Sequence, residues 1–457
     1  MSSGAPSPLY ETCQSLLAEE RARFLSEHPR SVALAREAAA VWRGGAPMHW
    51  MTDWASPTPL FAAQGVGAEV VDVDGATYAD FCLGDTPSMF GHGQMELASA
   101  LQDQARRGTG FMLPTAQAVL VGRMLAERFG LPLWQAATTA TDANRAALRW
   151  ARAVTGRPKI LVFDGCYHGA VDDTFVSLAT GRPAMKAGLV GQVEDVTGRT
   201  LVIPFNDLPA LETAMASRDV AAVLAEPVMT NCGMILPDSG FHAALRQMTR
   251  DAGTLLIIDE THTLSTGPGG YTRAHGLDPD IFTLGKAIAG GLPAAVWGVT
   301  ADLAARMDEA QARIGPGYSG IGTTLSGNAL AMAAMRAMLA DVMTDEAYNA
   351  MLAGAKTLVA GLAAVIAQRN LAWSVVHVGA RVELVFADPA PRNASEMRLA
   401  LDAGLLEALH LWLINRGVLI APFHNMMLVS PLTTESQIAR LVTAVDQFAA
   451  RLEGSEP

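Results

Sequence analysis

The chain has 457 residues, of which 50% are hydrophobic and 17% are charged. Such a chain can bury a large core, and its length predicts about two to three domains, which excludes disorder as its main state. It carries 33 basic and 45 acidic residues, a net charge of −12. Because it lacks an overall basic field, we expect no nucleic-acid partner.

Cysteine usage and hydropathy suggest the compartment. The four cysteines are far apart and form no Cys-x-x-Cys pair, which predicts neither a disulfide framework nor a cysteine zinc site. Residues 1–20 lack a signal-peptide pattern, and no uninterrupted apolar run reaches about 18 residues. We therefore expect a cytoplasmic protein without a membrane segment. Its positive mean hydropathy of +0.22 favours an oligomer.

The amino-terminal residues 1–75 are predicted to form an arm that belongs to a smaller domain. Residues 9–43 carry apolar side chains at helical spacing and end at Gly44 and Gly45. Residues 68–78 alternate like a hairpin with its turn at Asp74 and Gly75.

Residues 76–329 are predicted to form a large α/β domain. Helical stretches alternate there with short apolar strands, which predicts a mostly parallel sheet between helices. One predicted helix runs from Asp238 to Gly253, with Ser239 as its cap. The predicted strands are Lys159–Phe163, Thr200–Pro204, Val220–Ala225, Leu255–Ile258, Ile281–Leu284 and Ala295–Val299.

Residues 330–457 change character and are predicted to complete the smaller α+β domain with the amino-terminal arm. Long helices to about Arg369 precede a hairpin at Ser374–Phe386, two short strands and a helix from Thr434 to Leu452. In open α/β folds, ligands bind at the carboxyl ends of the strands.

Two ionisable residues stand where buried strands of the large domain end. Asp259 comes directly after the predicted strand Leu255–Ile258, and Lys286 comes two residues after the predicted strand Ile281–Leu284. One interpretation is a buried ion pair. The other is an amine that forms a Schiff base with a carbonyl and an acid that protonates a heterocyclic nitrogen, as pyridoxal phosphate requires.

Two nearby segments could bind such a cofactor. A threonine-rich turn opens a helix at Asp142–Thr155, where Thr139 and Thr141 could hold a phosphate or simply cap the helix. After Phe163, a loop presents Tyr167 and His168, whose rings could stack on a planar cofactor or serve in packing.

Five ordered motifs make residues 68–335 resemble the class III, fold type I pyridoxal-phosphate aminotransferases. The closest similarity is to the branch with glutamate-1-semialdehyde aminomutase and the β-amino-acid aminotransferases. The resemblance implies a seven-stranded, mostly parallel sheet, pyridoxal 5'-phosphate as cofactor, and a homodimer with shared active sites. The motifs are Gly165–Gly169, Glu226–Gly233, Ile258–Thr261, Leu284–Lys286 with Gly290–Pro293, and Gly322–Met332.

The resemblance also implies the roles of single residues. Lys286 would bind the cofactor as an aldimine, Asp259 would pair with the pyridinium nitrogen, and Tyr167 would stack on the ring. Thr324, with Thr323 as the alternative, would reach the phosphate from the partner subunit. The other candidate cofactor contacts are Thr139, Ala140, Thr141, His168, Glu226 and Asn231.

The chain departs from the family pattern where substrate carboxylates would be bound. After Gly44 and Gly45, relatives place an arginine, but residues 47–51 read Pro-Met-His-Trp-Met, and residues 421–426 also lack one. Asp85 replaces an aromatic position; it could pair with His49 or a cationic substrate group, or be a solvated loop acid. The predicted substrate pocket comprises His49, Trp50, Asp85, Phe111, Tyr318, Phe423 and His424.

These departures favour an aminotransferase that moves an amino group by a ping-pong mechanism between an apolar amine, or a β- or ω-amino acid, and a keto acid such as pyruvate. The alternative is an aminomutase of the glutamate-1-semialdehyde 2,1 type, which moves the amino group within one molecule. A third alternative is a non-catalytic cofactor-binding protein. We expect no metal site, since His262 has no second histidine four residues later.

Overall fold

The computed structural model describes residues 8–454, so residues 1–7 of the predicted arm and residues 455–457 of the predicted smaller domain lie outside it. The chain forms two compact units. The larger takes in Met95–Tyr348 and Pro391–Leu399. The smaller takes in the chain up to Gln94, Asn349–Ala390 and the chain from Ala400 onward. The units thus change after Gln94 and Tyr348, whereas the predicted boundaries lie after residues 75 and 329.

The larger unit is organised by a seven-stranded sheet, and the predicted mostly parallel arrangement is confirmed. The strand Ala295–Val299 runs opposite to the other six and is antiparallel to both of its neighbours. The strands Leu255–Asp259 and Ile281–Leu284 are buried along their whole length, as expected for parallel strands covered on both faces. In spatial order the strands are Leu133–Ala137, Ala295–Val299, Ile281–Leu284, Leu255–Asp259, Val220–Ala225, Lys159–Phe163 and Thr200–Ile203.

Helices flank these strands along the chain. The predicted helix after Asp238 begins at Phe241, and Ser239 does not cap it: Gly240, at a φ of +82°, is the N-cap residue. Its predicted end at Gly253 is confirmed. The helices of this unit are Met95–Arg107, Ala116–Phe129, Ala140–Thr155, Leu208–Ala216, Phe241–Ala252, Gly270–Ala274, Ala301–Ile314, Ala329–Ala337 with a π-helical turn at Met338–Val342, and Ala394–Ala400; a small hairpin pairs Val176–Ser177 with Ala184–Met185.

The smaller unit packs helices on two small sheets. One sheet joins Ala62–Val66, Glu69–Asp72, Thr77–Asp80 and Val418–Leu419, and the other joins Ser374–Val378, Arg381–Val385 and Met426–Leu428. Its core includes Phe24, Tyr78, Leu358, Trp412 and Phe448. The helices are Pro8–Glu27, Pro29–Ala39, Asp345–Gln368, Ala403–Ile414 and Glu435–Leu452.

The helix Asp345–Gln368 is long and apolar enough to cross a membrane by composition alone. This is weak evidence, because core helices of soluble proteins pass the same test. Ala355, Leu358, Leu362 and Val365 recur at helical spacing and lie in the hydrophobic core. These residues anchor one face of the helix in the core, while 28% of its apolar window is buried.

The helix Phe241–Ala252 is held to the sheet by an aromatic cluster, which generates a prediction. The ring of Phe241 lies 4.7 Å from that of Phe205 and 5.7 Å from that of Phe163, and all three are buried. Phe241→Ala should lower the free energy of unfolding by about 3–5 kcal/mol, because it leaves a cavity. Chemical denaturation followed by circular dichroism measures this. Leu399→Ala, at an exposed position, is the control, and an equal loss in both variants would contradict the packing argument.

Candidate active site

The register of two parallel strands brings Asp259 and Lys286 to the same edge of the sheet. Asp259 pairs with Thr283, and Lys286 follows three residues later. Lys286 has a left-handed φ of +51°, an uncommon conformation for a residue other than glycine that is found at functional sites. A Cβ at the preceding Gly285 would lie 2.9 Å from the Cβ of Ala140, so the glycine allows the helix Ala140–Thr155 to begin close to this edge.

The Asp259 carboxylate is buried and fully hydrogen-bonded. Oδ2 accepts from Asn144 Nδ2 at 2.8 Å and is 3.0 Å from His168 Nδ1, while Oδ1 accepts from Thr261 N at 3.1 Å and Thr261 Oγ1 at 2.6 Å. Burial alone would raise the pKa of Asp259, but the bonds from His168, Thr261 and Asn144 lower that pKa to about 2. Asp259 therefore stays ionised in the protein interior.

His168 is a buried hydrogen-bond partner of this carboxylate. Burial acts to lower the pKa of His168, but the Cys166 and Asp259 side chains outweigh it and raise the pKa to about 10. Asn144 completes the arrangement, because its amide also donates to the His168 carbonyl oxygen at 3.1 Å and accepts from Thr283 Oγ1 at 2.8 Å. One buried amide thus joins the helix Ala140–Thr155 to two strands and the loop at 168.

The threonine-rich turn acts as a helix cap at Thr139. Thr139 Oγ1 accepts from Asp142 N at 3.3 Å and donates to Asp142 Oδ2 at 3.0 Å, so the helix begins at Ala140, before the predicted Asp142. Thr141 Oγ1 accepts from Ala170 N at 3.1 Å. The first N–H groups of a helix favour an anion, so this turn keeps its phosphate-binding chemistry.

Glu226 and Tyr167 lie beside this edge. The backbone N of Tyr167 donates to Glu226 Oε1 at 3.3 Å, and the Tyr167 side chain is half exposed. Glu226 Oε2 accepts from Asn231 Nδ2 at 3.0 Å and from Thr230 Oγ1 at 2.7 Å. Glu226 and Asn231 thus share one hydrogen-bond network.

Sequence reasoning missed three residues of this region. His262 was considered only as a metal ligand, yet its Nε2 lies 2.5 Å from Lys286 Nζ. Its Nδ1 lies 2.7 Å from Thr230 Oγ1. Asn144 gave one available signal: it is a polar residue on the face of its helix otherwise occupied by alanines and Leu148. For Thr230 the signal was its place in the Glu226–Gly233 motif.

Several predicted residues of the larger unit are exposed. Thr323 Oγ1 lies 3.1 Å from Thr138 Oγ1 of the same chain, and Thr324 is exposed. Phe111 and Tyr318 are also exposed. Whether Thr324, Thr323 or Tyr318 serves a neighbouring subunit stays a prediction.

The remaining predicted pocket residues belong to the smaller unit. His424 Nδ1 lies 2.7 Å from Glu383 Oε2. Burial lowers the pKa of His424, but the nearby Glu383 and Asp85 carboxylates give a net increase. His49 and Trp50 lie in the exposed turn His49–Thr52, and Phe423 is half exposed.

The smaller unit also contains a buried arginine that was not among the positions considered for binding a substrate carboxylate. Arg381 is fully buried on the strand Arg381–Val385 and donates to Thr86 Oγ1. Its Nη1 lies 3.3 Å from Met426 Sδ.

The residues at the sheet edge fit pyridoxal phosphate. The ionised Asp259 suits a protonated pyridine nitrogen, Lys286 supplies a primary amine, the turn at Thr139 offers backbone donors for a phosphate, and Tyr167 presents an exposed ring. When bound, this cofactor supplies an electron sink for carbanion chemistry. Fold and site together define the class of pyridoxal-phosphate enzymes with fold type I.

Comparisons with known proteins agree. The model of the class-III aminotransferase family matches residues 50–448, and the chain belongs to that family. A glutamate-1-semialdehyde 2,1-aminomutase from Anaeromyxobacter dehalogenans is 34% identical over 395 residues, 85% of this chain and 90% of the relative.

Solved structures give the same result. A glutamate-1-semialdehyde aminomutase from Pseudomonas aeruginosa PAO1 is 47% identical with a TM-score of 0.94, covering 97% of this chain and 99% of that one. It has also been solved as a K286A variant in complex with PMP. A β-phenylalanine aminotransferase from Variovorax paradoxus is 29% identical with a TM-score of 0.85, covering 95% and 97%. The chain is thus a class III pyridoxal-phosphate-dependent enzyme.

The Asp259–His168 pair predicts how stability depends on pH. Because the pKa of Asp259 is lowered in the folded protein, Asp259 stabilises the fold at pH values above 3.8, its ordinary pKa. Because the pKa of His168 is raised, His168 stabilises the fold at pH values below 6.5, its ordinary pKa. Between these values, Asp259→Asn should lower the free energy of unfolding by about 3–5 kcal/mol, because it removes one partner of a buried, hydrogen-bonded pair. The cost should decline as the pH rises towards about 10, where His168 loses its proton.

Denaturant midpoints of the wild type and Asp259→Asn, measured across this pH range, give the difference directly. Asp302→Asn, at a highly exposed aspartate, is the control. A difference that stays constant to high pH would contradict the charged pair.

Proposed function

We propose that this enzyme moves an amino group within one molecule, as a glutamate-1-semialdehyde-type 2,1-aminomutase. The observation that carries the proposal is the 47% identity over 97% of the chain to the Pseudomonas aeruginosa aminomutase. The relative from Anaeromyxobacter dehalogenans supports the same assignment. These similarities support the intramolecular reaction more than the two-substrate reaction that the departures from the family pattern favoured.

Lys286 and Asp259 divide the chemistry of such a transfer. Lys286 would hold the cofactor through its amine, and when not bound to the cofactor it would serve as the general base for a proton on a substrate carbon. Asp259 remains a carboxylate, because three side chains stabilise its charge, and so it would keep the ring nitrogen of a bound cofactor protonated.

A second candidate is the transfer of an amino group between two molecules: an apolar amine, or a β- or ω-amino acid, and a keto acid such as pyruvate. The observation that favours it is the segment 46–51, Ala-Pro-Met-His-Trp-Met, which has no guanidinium to bind a carboxylate. The structural similarity to the β-phenylalanine aminotransferase is consistent with this candidate.

Assembly and compartment belong to the same proposal. Phe111, Met112 and Leu113 form an exposed apolar segment on the larger unit, which a second copy of the chain would cover. We therefore propose a homodimer in which Thr324 reaches the partner's phosphate.

The cysteines at 13, 82, 166 and 232 are all unpaired, which supports a reducing, cytoplasmic compartment.

One labelling experiment separates the two amino transfers. The enzyme is loaded with pyridoxal phosphate and given ¹⁵N-labelled glutamate-1-semialdehyde together with unlabelled pyruvate. For an aminomutase, the label moves from carbon 2 to carbon 1 of the same carbon skeleton, which NMR detects. At least about tenfold less label should enter alanine than the isomerised product.

Lys286→Ala is the control, because without its amine neither product should form. Label found mainly in alanine would contradict the aminomutase and support the two-substrate reaction. If the semialdehyde does not react, the same assay with a labelled β- or ω-amino acid and pyruvate tests the second candidate.

A further inference from the structure

A continuous row of hydrogen-bonded side chains runs from the half-buried Lys286 to the buried Glu226. Lys286 Nζ lies 2.5 Å from His262 Nε2, and His262 Nδ1 lies 2.7 Å from Thr230 Oγ1. Thr230 Oγ1 then donates to Glu226 Oε2 at 2.7 Å. His262, Thr230 and Glu226 are all buried, with at most 7% of each exposed. Three successive contacts of this length form a hydrogen-bonded chain.

The proton count along this row fixes the state of His262. The Thr230 hydroxyl has one hydrogen, and that hydrogen is donated to Glu226, so its oxygen accepts from His262 Nδ1–H. The neutral imidazole therefore carries its proton on Nδ1. Its Nε2 is then an acceptor, and Lys286 is the donor at 2.5 Å.

Glu226 is held in place for this arrangement. Its Oε2 also accepts from Thr230 N at 3.1 Å and Asn231 Nδ2 at 3.0 Å, and its Oε1 from Tyr167 N at 3.3 Å. A carboxylate with several donors is held in one position, and through the intervening hydroxyl it orients the His262 ring.

We propose that His262 is a positioning residue for Lys286. Thr230 and Glu226 hold His262 in the tautomer whose Nε2 is an acceptor. This nitrogen takes the proton that Lys286 must lose before its amine can attack a carbonyl carbon. The transfer is balanced within the protein. The Lys286 ammonium gives one proton to His262 Nε2, the lysine is left with its lone pair, and the charge moves to the imidazolium. No further reactant is needed.

The other ionisable groups of this region have partners or neighbours of their own. Asp259 binds His168, and Glu260 accepts from Thr263 Oγ1 at 2.6 Å and Tyr271 N at 3.1 Å. His242, on the helix Phe241–Ala252, lies 2.8 Å from the Pro227 carbonyl oxygen. Cys232 lies near Glu226, where burial raises the pKa of its thiol and keeps it neutral.

His242 provides a matched control, since it is also a histidine of the interior hydrogen-bonded to a neighbouring element. The inference depends on Lys286 as the cofactor-binding lysine, and it holds for either amino transfer. It can therefore be tested without any amine substrate.

The test follows the binding of pyridoxal phosphate to the apoprotein through its visible absorption band, from about pH 6 to about pH 10, a range that spans ordinary histidine and lysine titration. In His262→Gln, the binding rate at about pH 7 should fall about tenfold, and the midpoint of the rate profile should move up by about one pH unit. His242→Gln should superimpose on the wild type.

Two variants of Thr230 keep the test independent of a folding defect in His262→Gln. Thr230→Val should shift the midpoint in the same direction by a smaller amount, whereas Thr230→Ser, which keeps the hydroxyl, should restore the wild-type midpoint. Thermal melting of each apoprotein checks that it is folded.

Two results would overturn the inference: a His262→Gln profile that superimposes on the wild type, or a rate that falls equally at every pH with no change in midpoint. A wild type that forms no absorption band would overturn the assignment of Lys286 on which the inference depends. That failure is distinct, because it would appear before any variant is compared.

Discussion

The site depends on keeping one carboxylate charged inside the protein. Asp259 lies at the end of a strand whose every residue is buried, where an isolated negative charge would be costly. Asn144, His168 and Thr261 offset that cost with hydrogen bonds from three different elements. The same bonds fix the positions of those elements around the edge of the sheet, so the electrostatics of the site and its geometry have one origin.

Backbone geometry then places the amine. The parallel register sets Asp259 beside Thr283, and the chain must turn sharply to place Lys286 three residues later. Gly285 allows the close approach of Ala140, and Lys286 itself adopts a left-handed conformation. Strain of this kind persists only where surrounding packing holds it, and all four residues of the strand Ile281–Leu284 are buried.

Much of this arrangement was predictable from sequence. Apolar runs predicted the strands, and their succession with helices predicted the parallel sheet, because such patterns report burial. Asp259 and Lys286 were identifiable because charged residues rarely end buried strands without a function. The start of the helix at Ala140 was misjudged, since a threonine in a turn can either cap a helix or precede one.

Contacts between residues that are far apart in the chain could not be predicted from the sequence. Asn144 lies 115 residues from Asp259 in the chain, and Thr230 lies 32 residues from His262. No local periodicity encodes such pairs, because they depend on which strands become neighbours. For the same reason His262 resembled an isolated histidine, and Arg381, on the hairpin of the smaller unit, could not be associated with Thr86.

The central claim is that Lys286 carries the cofactor, and the chain makes this simple to test because it has only four lysines: Lys159, Lys186, Lys286 and Lys356. The protein loaded with pyridoxal phosphate is reduced with borohydride, digested and mapped by mass spectrometry. The account predicts the phosphopyridoxyl mass on Lys286, and its disappearance in Lys286→Ala. The label on any of the other three lysines, with Lys286 unmodified, would contradict it.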